Sequence, residues 1–326
     1  MRTWLAALCL LSHVTLAGAD SGLRINQIQF VGSHNSYKQP MSWVYHTVLS
    51  WVDPDVALSL DYSHPPLEQQ LDLGLRKLEL DVFYRPDTGD FAVGHVQMID
   101  MNSHCATLRA CLTQLRQWSE RHPQHEPIWI SFDAKDETIS PLPDPVPFDA
   151  AAFDAMDQVL EAVLGPKLIR PRDVKVPGQP QPVWPLLDSA RGKFLLILGD
   201  SGPKRDRYAA NWRQRPMFVS VGPEHPAAAI MIVNDPVVDH ERIRQLLTAG
   251  FMVRTRADAD TLEARANDTR RRDAAFASGA QAVSTDYYQP VNPFGNSYRV
   301  WLPSGIRCNP VTAGKDCYRT LSEAEN

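Results

Sequence analysis

Two periodicities alternate along this chain. Over residues 77–83, Leu78, Leu80 and Val82 interleave with Glu79 and Asp81, the period of two that places one set on each face of a β-strand. Residues 127–133 repeat the pattern, with Ile128, Ile130 and Phe132 on one face and Ser131, Asp133 and, just beyond, Lys135 on the other. Further strand-like runs occupy 25–31, 91–96, 193–198, 217–221, 251–256 and 281–285, and 230–233 is a ninth candidate that replaces or extends one of them. Helical spacing fills the intervals at 67–76, 108–120, 151–164, 240–249 and 261–278. In the first of these, Leu67, Leu71 and Leu75 share a face; the last ends at Gly279.

Strands that alternate with helices about eight times predict an α/β fold, a parallel sheet closed into a distorted (β/α)8 barrel of the TIM type. In such a barrel the apolar strand faces meet the helices and the polar faces meet inside. His34, Glu79, Asp81, His95, Asp133 and Lys135 fall in or just beyond the C-terminal halves of their strands, the end where barrel active sites assemble. That convergence is the argument for a site. The pattern is interrupted at 38–66 and at 140–182, the second stretch being proline-rich.

Composition changes the picture at the termini. Arg2, the apolar run from Trp4 to Leu16 and Ala17-Gly18-Ala19 form the charged, apolar and small-residue regions of a secretory signal peptide. We expect residues 1–19 to be removed and 20–326 to form one catalytic barrel domain, with a disulfide-stapled C-terminal extension over about 300–326. The apolar run is shorter than the roughly 20 residues a membrane span needs. Of five cysteines, Cys9 leaves with the leader. The others form two close pairs, Cys105 with Cys111 and Cys308 with Cys317, which predicts two local disulfides in a secreted or periplasmic protein. Loss of Arg2 moves the formal net charge from −5 to −6. With no basic face, nucleic acid is excluded as a partner; the run Arg270-Arg271-Arg272 is flanked by Asp268 and Asp273 and reads as a solvated helix face.

The candidate chemistry follows from the inward set. Asn35, Glu79, Asp81 and Asp133 are all oxygen donors, which suits Ca2+ or Mg2+ rather than zinc. His34 and His95 at strand ends suit a general base and a general acid on opposite sides of one phosphorus. The remaining histidines, His46, His64, His104, His122, His125, His225 and His240, read as structural.

These residues lie in motifs that resemble a known family. They are Gly32-Ser33-His34-Asn35-Ser36-Tyr37, Glu79-Leu80-Asp81, Gly94-His95 and Ser131-Phe132-Asp133-Ala134-Lys135, with a later block from Val253 to Asp260 and Val283 to Tyr287. The chain is similar to the calcium-dependent phosphoinositide-specific phospholipases C, in their secreted bacterial branch. The resemblance implies a distorted barrel of the phosphatidylinositol-phosphodiesterase kind. It implies that His34 is the base on the inositol 2-hydroxyl, that His95 is the acid for the diacylglycerol oxygen, and that Asn35, Glu79, Asp81 and Asp133 hold Ca2+. The products would be diacylglycerol and an inositol phosphate, cyclic or linear. Eukaryotic members usually carry glutamate where this chain has Asp133, and their regulatory domains are missing here. No lysine pair for ring phosphates is evident, so unphosphorylated phosphatidylinositol or a related inositol lipid is the expected substrate. Lys135 is expected to contact the phosphate. Arg254 and Arg256 share a strand face and either bind phosphate or ring hydroxyls or pair with Asp258 or Asp286.

The insertion at 41–52 carries Trp43, Tyr45, Leu49 and Trp51, which form either an apolar rim that dips into a lipid surface or a helix packed over the barrel mouth. The expected partner is a phospholipid at a membrane surface, with no protein partner and a monomeric state. Rival readings are a glycerophosphodiester phosphodiesterase, a phospholipase D-like enzyme on the same fold, and a non-catalytic lipid-binding barrel. The first strand here ends Ser-His-Asn-Ser rather than the His-Arg-Gly of the glycerophosphodiesterases.

Overall fold

The structure, a computed structural model, describes residues 22–315 and Cys317; the leader and the end of the C-terminal extension lie outside the described residues. In chain order the strands are β1 (Ile28–Ser33), β2 (Lys77–Arg85), β3 (Asp90–Val93), β4 (Ile128–Ala134), β5 (Leu168–Ile169) and β6 (Phe194–Leu198). They continue with β7 (Phe218–Val219), β8 (Ile230–Ile232), β9 (Met252–Arg256), β10 (Ala282–Thr285) and β11 (Ile306–Cys308).

Eight of these run parallel around a ring. The order β6-β4-β2-β1-β10-β9-β8 is continuous, and β7 pairs with β6 through Ile197–Phe218 and Leu198–Val219. The ring closes between β7 and β8 by the single bridge Ser220–Ile230, helped by the Ile232 N–H donating to Ser220 Oγ at 2.9 Å. This seam is thin because both strands are short. The run at 91–96 is not a barrel strand: β3 folds back antiparallel on β2, pairing Val82 with Val93 and Tyr84 with Phe91. The ninth candidate, realised as β8, takes its place in the ring. The short β5 adds to β6, and β11 lies antiparallel on β1.

The helices are α1 (Trp43–Val52), α2 (Pro54–Ser59), α3 (Leu67–Asp72), α4 (Leu108–Arg121), α5 (Ala150–Leu164) and α6 (Pro171–Val174). After them come α7 (Leu187–Ala190), α8 (Gly202–Ala209), α9 (His240–Thr248), α10 (Leu262–Ala266) and α11 (Arg270–Ser278). Thr107 and Asp149 start α4 and α5 by accepting the N–H of Ala110 and Ala152, which satisfies donors the helix cannot. The helix expected at 67–76 stops at Asp72, because Gly74 at φ 92° turns the chain into β2. The one expected at 261–278 breaks in two at Asn267, whose φ of 52° is left-handed.

The strand faces sort as their periodicity predicts. Leu78, Leu80, Val82, Ile130 and Phe132 pack outward in one buried cluster with Leu112, Leu115, Met156 and Leu160 of α4 and α5. A second cluster of Phe30, Trp129, Leu195, Ile197, Met252 and Ala282 alternates with the polar set along the same strands and fills the lower barrel. The carboxylates Glu79, Asp81 and Asp133 stand beyond this cluster toward the C-terminal ends of β2 and β4. Gly32 lets β1 approach β2: a Cβ there would lie 2.2 Å from Lys77 Cβ.

Candidate active site

The upper layer begins with three carboxylates. The β2–β4 register sets Asp81 beside Asp133 and Glu79 beside Ser131, so one oxygen from each of Glu79, Asp81 and Asp133 lies within 4.8 Å of the others. Asn35 joins them from the turn after β1, where its φ of 44° is one that asparagine tolerates. Two buried acceptors, Asn35 Oδ1 and Asp81 Oδ1, have no hydrogen-bond partner. Buried polar atoms are rarely left so. Unpartnered oxygens beside clustered acids fit a hard divalent cation bound by oxygen donors.

The charges agree with that fit. Burial first, then the charges of Asp81 and Glu79, push the Asp133 carboxyl well above the usual carboxylate range; it requires a proton or a cation nearby. Gly199 makes room for it, since a Cβ there would sit 2.1 Å from Asp133 Oδ1. Glu79 goes the other way. Burial opposes its charge, but Lys77 and Arg254 hold it well below the usual range. Lys77 Nζ and Arg254 Nη2 both reach Glu79 Oε2, at 2.5 and 2.9 Å. Burial in turn lowers the Lys77 ammonium to about 8.

The two histidines flank this cluster. His34 Nε2 lies 3.5 Å from Glu79 Oε1, while Nδ1 lies 3.3 Å from Asp286 Oδ1 and 3.2 Å from the Tyr62 hydroxyl. Burial first, then Arg256, lowers the His34 pKa below 6.5, so the ring is neutral near pH 7 and free to take a proton. His95 Nδ1 lies 2.9 Å from Asp81 Oδ2 and 3.0 Å from Asn35 Nδ2. Of these two neighbours only the Asp81 carboxylate accepts, so it takes the Nδ1 proton and leaves Nε2 for the reacting group.

The structure brings six of the sequence-derived residues together: His34, Asn35, Glu79, Asp81, His95 and Asp133. Lys135 stands at their edge, 3.6 Å from Asp81 Oδ2; burial opposes its charge, but Asp81 and Asp133 outweigh it and raise its pKa. Arg254 is buried, and its pairing with Glu79 is neither of the alternatives read from the sequence. Arg256 Nε donates to the Asp258 carbonyl at 3.0 Å and Nη2 lies 3.9 Å from Asp286 Oδ2. Cys105–Cys111 and Cys308–Cys317 are disulfide-bonded.

Four neighbours were not read as functional. Lys77 had a signal, standing two residues before Glu79 on the same strand face. Asp286, just past β10, entered only as a pairing partner for the arginines. Tyr62 and His64 had none, because they lie in the irregular stretch between α2 and α3. His64, expected to be structural, is one hydrogen bond from His34: its Nε2 lies 2.7 Å from His34 O and 3.6 Å from Asp286 Oδ1, and its Nδ1 meets the Tyr288 hydroxyl at 3.1 Å.

Comparison with known proteins agrees with this geometry. The chain matches the family described as phosphoinositide phospholipase C, Ca2+-dependent, over residues 23–94 and 91–310. No curated protein matches it. Among solved structures it is similar to a calcium-dependent phosphoinositol-specific phospholipase C from a Gram-negative Pseudomonas, with TM-score 0.58 and 18% identity over 88% of this chain and 96% of that one. A Ca2+-dependent phosphatidylinositol-specific phospholipase C from Streptomyces antibioticus gives TM-score 0.55 and 18% identity over 81% and 95%. At that identity the likeness concerns the fold.

Proposed function

The chain belongs to the family of Ca2+-dependent phosphoinositide phospholipases C and is a phosphoric diester hydrolase, and from that premise we propose that it cleaves the glycerol–phosphate bond of phosphatidylinositol-type lipids outside the cytoplasm. The observation that carries this reading is that His34 and His95 are each held by a carboxylate, on either flank of one acid cluster with unpartnered oxygens.

The proton path follows from the contacts. His34 Nε2 removes the proton of the inositol 2-hydroxyl, whose oxygen attacks phosphorus, and Asp286 stabilises the imidazolium through Nδ1. His95 Nε2 delivers a proton to the glycerol oxygen as its bond to phosphorus breaks, with Asp81 supporting the charged ring beforehand. Diacylglycerol and a 1,2-cyclic inositol phosphate result. Where the cyclic ester is opened, the roles reverse: neutral His95 takes a proton from water and His34 returns one to the 2-oxygen. Asn35, Glu79, Asp81 and Asp133 would hold Ca2+, which when bound lowers the hydroxyl pKa and offsets phosphate charge. Lys135 and Arg256 would contact the phosphate and the head group, while Arg254 acts through Glu79. Phosphatidylinositol and glycerophosphoinositol turnover should be lost in chelator and restored by Ca2+; full turnover in chelator would remove the cation from the mechanism.

The lipid surface is met by α1. None of its residues is buried, and Trp43 and Trp51 are 78% and 84% exposed, which favours the rim over a helix packed across the barrel mouth. Replacing both tryptophans with alanine should weaken binding to phosphatidylinositol vesicles about 30- to 150-fold, at about 1–1.5 kcal/mol per indole, and spare cleavage of soluble glycerophosphoinositol. Equal losses on both substrates would assign α1 to packing instead. Secretion is supported by the leader pattern at 1–19 and the two disulfides; among the described residues no helix is long and apolar enough to cross a membrane. The single catalytic barrel over 20–326 and the monomeric state belong to the same proposal.

A further inference from the structure

We infer that Tyr62 is a positioning residue that turns the Asn35 amide toward the cation site and steadies the base His34 with the same oxygen. The inference rests on the cation site proposed above. Tyr62 reaches the barrel mouth from the stretch between α2 and α3 and is 8% exposed. Its hydroxyl oxygen accepts the Asn35 Nδ2–H at 2.7 Å and lies 3.2 Å from His34 Nδ1. Its ring stacks on His34 with centroids 5.8 Å apart and meets the edge of His64 at 5.7 Å.

The amide needs such a partner. A side-chain amide has a donor end and an acceptor end that differ by a half-turn. Beside Glu79, Asp81 and Asp133, a free asparagine favours the half-turn that presents its NH2 group to the carboxylates, and that orientation withdraws the ligand oxygen. Tyr62 offers Nδ2 another acceptor, so Oδ1 stays without a protein partner and open to a cation. Because the same oxygen lies against His34 Nδ1, the ligand and the base are held in one arrangement. Partners that orient a metal ligand from behind typically carry about 10- to 100-fold in metal affinity.

The test is Tyr62→Phe, which keeps the ring and removes only the hydroxyl, with Ca2+ binding measured by calorimetry on the full chain. The expected result is a Kd for Ca2+ raised about tenfold or more. With Ca2+ saturating, kcat on glycerophosphoinositol should fall while KM moves less than about twofold. In an Asn35→Asp background, where the carboxylate has no donor end to present, Tyr62→Phe should change the Ca2+ Kd by less than about twofold, a double-mutant cycle that a merely structural tyrosine would not produce. An unchanged Kd and kcat in Tyr62→Phe, with Asn35→Ala impaired, overturns the role of Tyr62 alone. Absence of Ca2+ binding in the wild type overturns the cation site and this inference with it.

Discussion

Replacing His34 with alanine is expected to lower kcat on phosphatidylinositol by two to four orders of magnitude, roughly the contribution of a positioned general base, with little change in the unfolding midpoint. The side chain is partly open, 18% exposed, and what it leaves behind is Asp286, which retains His64 at 3.6 Å and Arg256 at 3.9 Å. The catalytic loss and the structural loss are therefore separable. His95→Ala should lose a comparable factor, and the double variant should lose far less than the product, since two groups working on one proton path do not add. Turnover of glycerophosphoinositol with each variant, at saturating Ca2+, checks this. A His34→Ala enzyme within a fewfold of wild type ends the two-histidine mechanism.

The largest effect on stability is expected at Lys38. Its ammonium and the Asp100 carboxylate are 1% and 0% exposed, and Lys38 Nζ donates to both Asp100 oxygens, at 2.7 and 2.6 Å. This pair ties the turn after β1 to the loop after β3. The same loop holds the second histidine, because the Asp100 carbonyl accepts the His95 N–H at 2.9 Å. Lys38→Met leaves a buried carboxylate without a counter-charge, which costs about 3–5 kcal/mol. Lys38→Met with Asp100→Leu removes both charges and should recover most of that loss. Equilibrium denaturation gives the comparison. A single-variant loss under about 1 kcal/mol would mean that water or another cation compensates Asp100.

Much of the site was legible because strand periodicity reports which side chains share a face. Glu79, Asp81, Ser131 and Asp133 were placed inward by counting in twos, and the β2–β4 register then put Asp81 beside Asp133. The same counting could have reached Lys77. It could not distinguish β3 from a barrel strand, since a hairpin strand that covers the core carries the same alternation of apolar positions. Nor could it reach Tyr62 or His64, which belong to no periodic element and owe their place to where α1 and α2 return the chain. Arg254 shows a further limit: its strand face was readable, but its partner, Glu79, lies on the far side of the ring at a sequence separation of 175.

The amino-acid order alone determined the α/β alternation, the inward set of acids, the two histidines at strand ends and the two local cysteine pairs. Each of these is settled by neighbours a few residues apart, through backbone periods and short loop closures. Tertiary structure decided which runs entered the ring, the thin closure between β7 and β8, the pairing of Lys77 and Arg254 with one oxygen of Glu79, and the delivery of Tyr62, His64 and Asp286 to His34. Those depend on contacts between distant segments, where burial and unmet hydrogen bonds choose among partners that the local pattern leaves equivalent.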